Sequence, residues 1–259
     1  MRSDNSADYQ TLSQAIGVMS KGFMDGYTVP LHSHERDQLL YAVKGIMRVR
    51  TEYEAWVVPS NVAVLIPAGI KHSVTMHGAV DMRTLYIDPT TIQDYQQTLC
   101  VLTVSNLLRE LILELSNEAI EYEKESRAGS ISRLIEHEIS RAKDLPLHVK
   151  LPKDDRLQKV CLALLNDPSD NRTLDAWAEI AGASTRTLAR LFESDLDLSF
   201  NKWRQRVRFQ NALEALSTGC RISEVSRQCG YRSPSAFSSA FHKVMNMPPS
   251  SVRLNGLGE

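Results

Sequence analysis

The chain has 259 residues, 42% hydrophobic and 24% charged, a balance that suits a folded protein with a sizeable core and leaves length for two domains. A formal net charge of −1 excludes a uniformly basic coat for nucleic acid, although residues 155–259 carry 14 Lys and Arg against 11 Asp and Glu and are mildly basic on their own. The four cysteines (Cys100, Cys161, Cys220, Cys229) make no Cys-x-x-Cys pair, the opening MRSDNSADYQ has no apolar signal region, and no run approaches the ~18 apolar residues of a membrane span, so a cytoplasmic protein with reduced thiols and no membrane partner is expected.

The first part of the chain patterns as β-structure. Between residues 27 and 88, the runs 38–43, 46–50, 55–58, 62–66 and 82–87 are separated by Lys44-Gly45, Pro59-Ser60-Asn61 and Pro67-Ala68-Gly69. Short strands at close spacing with turn formers between them indicate a sandwich or small barrel over residues 1–95. Read as one strand, residues 30–38 (PLHSHERDQ) turn His32, His34, Arg36 and Gln38 to one face, and Glu35 and Asp37 to the other. A turn at Pro67-Ala68-Gly69 then supplies a third histidine, His72. Three imidazoles and a side-chain oxygen are a donor set for one divalent ion such as Zn²⁺, Ni²⁺ or Mn²⁺, so the metal candidates are His32, His34, Gln38 and His72. Gln38 brings no charge, which weakens the site for hard cations. Two other uses stay open for the histidines: lining a polar effector pocket, or structural hydrogen bonding. Tyr41, Met47, Trp56 and Tyr86 could supply apolar lining to such a pocket, but read first as ordinary core.

After Asp88-Pro89 the period becomes helical. Leu99, Leu102, Leu107, Leu108, Leu111, Ile112 and Leu115 predict a helix over 99–115 with a broad apolar stripe, and a second helix is expected over 130–143. Together they make residues 96–145 a helical segment whose broad apolar stripe can pack on the chain's own β-domain or on a further surface. Residues 146–155 (PLHVKLPKDD), with two prolines and several charges, read as a linker. Residues 156–259 read as helical throughout.

Within that region one layout occurs twice. Thr173 is an N-cap with Asp175 in the first turn, Gly182 suits a left-handed stop, and Ser184 caps a second helix over 185–193 that buries Leu188, Leu191 and Phe192. About 48 residues on, Ile222 to Gly230 repeats the helix and its stop, Ser233-Pro234 opens the next helix, and Phe237, Ala240 and Phe241 repeat the buried positions. A helix over 199–216, with Arg204, Arg206 and Arg208, separates the two. This is two helix-turn-helix units in tandem, spaced so that recognition helices ~34 Å apart reach successive major grooves of double-stranded DNA. The candidate DNA contacts are Ser184, Thr185, Arg186, Thr187 and Arg190 in the first unit, and Arg232, Ser233, Ser235, Ser238, Ser239 and His242 in the second. Arg186 and Arg190 share a helix face and suit guanine edges, whereas the serines suit phosphates or either base edge.

Through LDAWAEIAGASTRTLARLF and ISEVSRQCGYRSPSAFSSAFHKVMNMPPSSVR, residues 156–253 resemble the DNA-binding domain of AraC/XylS-type transcriptional regulators. The second stretch carries the family's Gly-aromatic step, Phe-x-x-x-Phe pair and closing Pro and Arg, but has Ser226 for a small alanine and Ser239 where a basic residue is common. The N-terminal part resembles the cupin β-barrel: His32, His34, Gln38 and Gly45 stand for its first motif, with Gln38 in place of glutamate, and Pro67, Gly69 and His72 for its second. The resemblances imply a cupin-like sensor barrel with following helices, then an all-α tandem helix-turn-helix domain. They imply a dimeric, non-enzymatic regulator, more often an activator working with RNA polymerase, controlled by a small effector or metal in the barrel. The rival reading is a cupin-type metal-dependent enzyme with a helical appendage. The missing facial carboxylate and the two DNA-reading units argue against it.

Overall fold

The structure is a computed structural model, and it describes residues 3–52, 54–60, 62–92, 99–142, 144–145, 149–245 and 247–252. These fall into two compact units: the described residues through Leu145 other than 52–57 form the first, and those of 52–57 with the described residues from Val149 to Val252 form the second. Asn61 of the expected Pro59-Ser60-Asn61 turn, the first residues of the linker and Arg253 of the closing motif lie outside the described residues.

In the first unit, β1 (Ile16–Phe23), β2 (Thr28–His32), β3 (Asp37–Arg50), β5 (Val62–Ile66) and β6 (His72–Ile87) form antiparallel pairs; β4 (Glu54–Val58) lies between β3 and β5 in sequence. β6 is central, pairing with β1, β2 and β3, and β3 pairs onward to β5. The strand alternation explains how one sheet serves two purposes. Leu39, Tyr41, Leu85 and Ile87 point into a core shared with the helices, while Gln38, Leu40, Met82 and Tyr86, one residue out of phase, line a cavity on the other face. β1 follows the same rule, with Ile16 in the core and Met19, Lys21 and Phe23 at the cavity. Such a two-sided sheet reads as continuous apolar runs, which is why Leu39 to Ala42 are all buried.

Two expectations are corrected here. Residues 30–38 are not one strand: β2 ends at His32 and β3 starts at Asp37. Arg36 does not join the histidine face. It is 5% exposed, and its guanidinium donates to the carbonyls of Gln10, Leu12 and Gln14, pinning the segment that leads into β1. Nor does a helix start at Leu99. Cys100–Thr103 is a strand, β7, paired with β5, and α1 begins only at Asn106, where Ser105 accepts from the Leu108 amide as N-cap. α1 (Asn106–Leu115) and α2 (Arg127–Arg141) lie on the sheet core through Leu108, Ile112, Ile135 and Ile139, and β8 (Asp144–Leu145) pairs with β7. Most of the leucine stripe is thus buried at home. Leu107 on α1 and Leu134 on α2 stay outside, 52% and 47% exposed.

The second unit contains β9 (Val149–Lys150), which pairs with Glu54 and Ala55 of β4, and six helices. These are α3 (Asp155–Asn166), α4 (Leu174–Ala181), α5 (Thr185–Leu196), α6 (Phe200–Ser217), α7 (Ile222–Gln228) and α8 (Pro234–Met245). Trp177, Leu188, Phe192 and Trp203 centre one core. Phe209, Phe237 and Phe241, with ring centroids 5.4–6.4 Å apart, centre the packing of α8 on α6. No helix among the described residues is long and apolar enough to cross a membrane.

Candidate functional site

The first site is the histidine cluster with its cavity. His32 and His72 are directly opposed in the β2–β6 register, with ring centroids 4.3 Å apart. His34 is brought in by the bend after β2, where its carbonyl accepts from Gly69 N at 2.8 Å and the Asp37 carboxylate accepts from Ala68 N. The Pro67-Ala68-Gly69 turn is therefore what joins His-x-His to the third histidine. Candidate ligand atoms of the three histidines lie within 4.8 Å of one another, close enough for side-chain rotation to converge on one ion. Nδ1 of His32 donates to Pro30 O at 2.7 Å and Nδ1 of His72 to Ile70 O at 2.9 Å, which fixes the tautomers and leaves each Nε2 with a lone pair. Nε2 of His34 and of His72 and Oε1 of Gln38 are buried without a hydrogen-bond partner in the protein. Burial, reinforced by the neighbouring imidazoles, lowers His34 to about 4; His72 is lowered to about 4 by burial, against the opposing effect of its bond to Ile70. Both are neutral at pH 7, the state a metal needs.

Beside the cluster lies a cavity of about 400 Å³. Its walls include Met19, Phe23, Val29, Leu40, Val74 and Met82, and its polar groups include Asn5, Ser6, Lys21, Gln38 and Tyr86. Gln38 and Tyr86 are register partners on β3 and β6, and burial drives the Tyr86 hydroxyl up, so it stays protonated. Sequence reasoning found the histidines and Gln38 but not β1 or Asn5 and Ser6. The odd-numbered Met19, Lys21 and Phe23 were the available signal.

The second site is the pair of helix-turn-helix units. Thr173 caps α4, Gly182 ends it at φ 67°, and Ser184 caps α5 by accepting from Thr187 N at 3.1 Å. Thr185 donates to Asp175 at 2.6 Å, locking the two helices, and Thr187 shares a bond with Ser184. Ser184, Thr185 and Thr187 thus have structural partners, while Arg186 and Arg190 are exposed and, among the described residues, unpaired. In the second unit Gly230 takes φ 69° and Ser233 caps α8 by accepting from Ala236 N at 3.2 Å. Ser235 shares a bond with Ser233, Ser238 is half-buried, and Arg232, Ser239 and His242 are exposed. Ser226 is buried and donates to Ser223 O at 2.9 Å, so the hydroxyl in the alanine position is satisfied within its own helix.

One buried arginine, missed by the sequence reading as a site residue, ties the two units together. Arg208 on α6 donates to Pro168 O at 2.8 Å, Asp170 O at 3.0 Å and Asn171 Oδ1 at 3.0 Å, in the loop before the first unit. Asn171 in turn donates to Gly230 O, and Cys229 Sγ donates to Arg208 O, both in the turn of the second unit. A Cβ on Gly230 would lie 2.6 Å from the Arg208 guanidinium, so glycine is required there by space as well as by φ.

Both parts of the chain match families of known proteins. Residues 19–137 match the family described as the AraC-like ligand binding domain, and residues 177–255 match a helix-turn-helix domain family. The HTH-type transcriptional regulator NimR of Escherichia coli K12 is 30% identical over 225 residues, 87% of this chain and 82% of NimR. RipA of Corynebacterium glutamicum, also an HTH-type transcriptional regulator, is 32% identical over 42% of this chain and 33% of its own length. The HTH-type transcriptional activator RhaR of Salmonella dublin is 32% identical over 38% of this chain and 35% of its own.

Proposed function

The chain belongs to the AraC family of DNA-binding transcriptional regulators with a ligand-binding domain, and from that premise we propose that it is a cytoplasmic activator. It binds double-stranded operator DNA as a homodimer, works with RNA polymerase, and answers to a small effector held at the sheet domain. The observation that carries the DNA reading is the pair of capped units, with Arg186 and Arg190 exposed on a capped helix and, among the described residues, without protein partners. Arg186 and Arg190 read base edges, while Arg232, Ser235 and Ser238 are the contacts of the second unit, which anchors more on the backbone. Activation follows RhaR, whose name carries it. The enzyme reading has no support in the family.

His32, His34 and His72 hold a divalent ion such as Zn²⁺, Ni²⁺ or Mn²⁺, with Gln38 Oε1 as the fourth donor. What supports this is the set of fixed tautomers and unpartnered buried acceptors. A bound ion would supply positive charge at the cavity. Leu107 and Leu134, exposed on α1 and α2, supply the dimer contact.

Genomic DNA pull-down with the purified protein tests the central claim. Enrichment of one motif carrying two half-sites is the expected outcome. Failure to enrich any sequence above background at moderate salt would sink it, because non-specific attraction to phosphate fades with salt.

A further inference from the structure

The donors in the histidine site are three imidazoles and an amide oxygen, none of them a carboxylate. Among the described residues no carboxylate joins the cluster. Asp37, the nearest in sequence, is held by the amide of Ala68, and Asp4, at the cavity lining, lies 3.5 Å from Lys21 in an ion pair. A divalent ion there keeps its full +2 charge beside apolar walls, where charge is poorly screened. Ni²⁺, Mn²⁺ and Co²⁺ take five or six ligands, so three histidines and one amide would leave room for a further group at the cavity that His32, His34 and Gln38 line, and an anion fills it most favourably.

The cavity decides what kind of anion. Met19, Phe23, Val29, Leu40, Val74 and Met82 present hydrocarbon, aromatic and thioether surface. Its polar groups, which include Asp4, Asn5, Ser6, Lys21, Tyr27, Gln38 and Tyr86, are partly engaged with one another. Lys21 donates to Asp4 O, Asn5 Oδ1 accepts from Ala7 N, and the Tyr86 hydroxyl meets Ser6 and Gln38. A volume of about 400 Å³ is at the small end for a ligand pocket.

We infer that the effector is a small organic monocarboxylate, its carboxylate bound to the ion at the three histidines and its apolar body in the cavity lined by Met19, Phe23, Leu40 and Met82. The inference rests on the metal-binding reading above. It makes the ion part of the effector site, so that neither metal nor carboxylate alone gives the full response.

Cobalt(II) is the probe, because its visible absorption reports ligand exchange directly. The metal-stripped full-length protein is loaded with cobalt(II) and titrated with benzoate and octanoate, with benzyl alcohol and octylamine as uncharged and cationic counterparts. Both carboxylates are expected to shift the cobalt band saturably, the alcohol and amine to leave it unchanged. Calorimetry on cobalt-free protein is expected to show carboxylate affinity lower by at least about tenfold, or ~1.4 kcal/mol. Val29→Trp narrows the cavity without touching a proposed ligand; it should keep the cobalt spectrum and weaken octanoate by roughly tenfold. A cobalt spectrum indifferent to both carboxylates overturns this inference and leaves the metal site standing. Equal carboxylate affinity with and without cobalt overturns it as well. Absence of cobalt binding overturns the metal reading itself, and this inference with it.

Discussion

Burying a guanidinium is costly unless its donors find acceptors, and Arg208 finds them on two carbonyls and an asparagine. Burial lowers its pKa, although an arginine remains charged. Arg208→Met strands those acceptors and should cost on the order of 3 kcal/mol, seen as a lower urea midpoint followed by tryptophan fluorescence. Because the network joins the loop before the first unit to the turn of the second, the same change should weaken binding to a two-half-site operator more than binding to one half-site. An unchanged midpoint would mean the network carries no stability. Arg186 acts differently: among the described residues it has no partner to lose. Arg186→Ala should leave stability intact, cost ~1–3 kcal/mol of operator affinity and relax preference at one base pair. A gel-shift series over operators varied one position at a time measures this, and unchanged preference at every position would remove Arg186 from base reading. Arg186 and Arg190 could be picked out in the sequence because four-residue spacing on a capped helix is a local pattern. Arg208 could not, since its partners lie 37 to 40 residues away.

At the scale of elements, capping made α4 and α5 readable. Thr173, Gly182 and Ser184 satisfy or terminate helix ends by local chemistry, and each holds that role in the structure. Ser184→Ala removes the acceptor for Thr187 N and should lower stability by about 1 kcal/mol, measured by thermal unfolding of the full chain. Ser184→Asp, which keeps a capping acceptor, should recover most of it; equal losses in both variants would show that the cap is not the cause. The elements misread are those where helix and strand periods overlap. Leu99, Leu102 and Leu108 fit a helical stripe, yet Cys100–Thr103 is taken by β5 as a strand because the sheet edge offers a ladder of backbone partners. Similarly, residues 30–38 alternate as a strand should, but the chain bends between His32 and Asp37. That bend is what lets His34 face His72 instead of continuing along the sheet.

At the scale of the molecule, proton linkage sets how the metal-free first unit responds to acid. His34 and His72 stand near 4 in the fold against 6.5 in the unfolded chain, so between those values the unfolded state binds more protons. Stability is therefore full above about pH 6.5 and falls as pH drops toward 4. Unfolding of EDTA-treated protein should show this loss, and His72→Gln should make it shallower; identical slopes would refute the linkage. Leu107→Arg with Leu134→Arg should leave the fold intact and yield a monomer by sedimentation, and a persistent dimer would move the interface elsewhere. The sequence by itself determined the two-part organisation, the tandem capped units and the three histidines, because caps, turns and apolar periods are short-range signals printed in consecutive residues. Only the tertiary structure decided that the leucine stripe is mostly buried at home, that Arg208 clamps the two DNA-reading units, and that β1 supplies a cavity wall. Each of these depends on segments far apart in the chain meeting, and a single sequence records the segments but not their meeting.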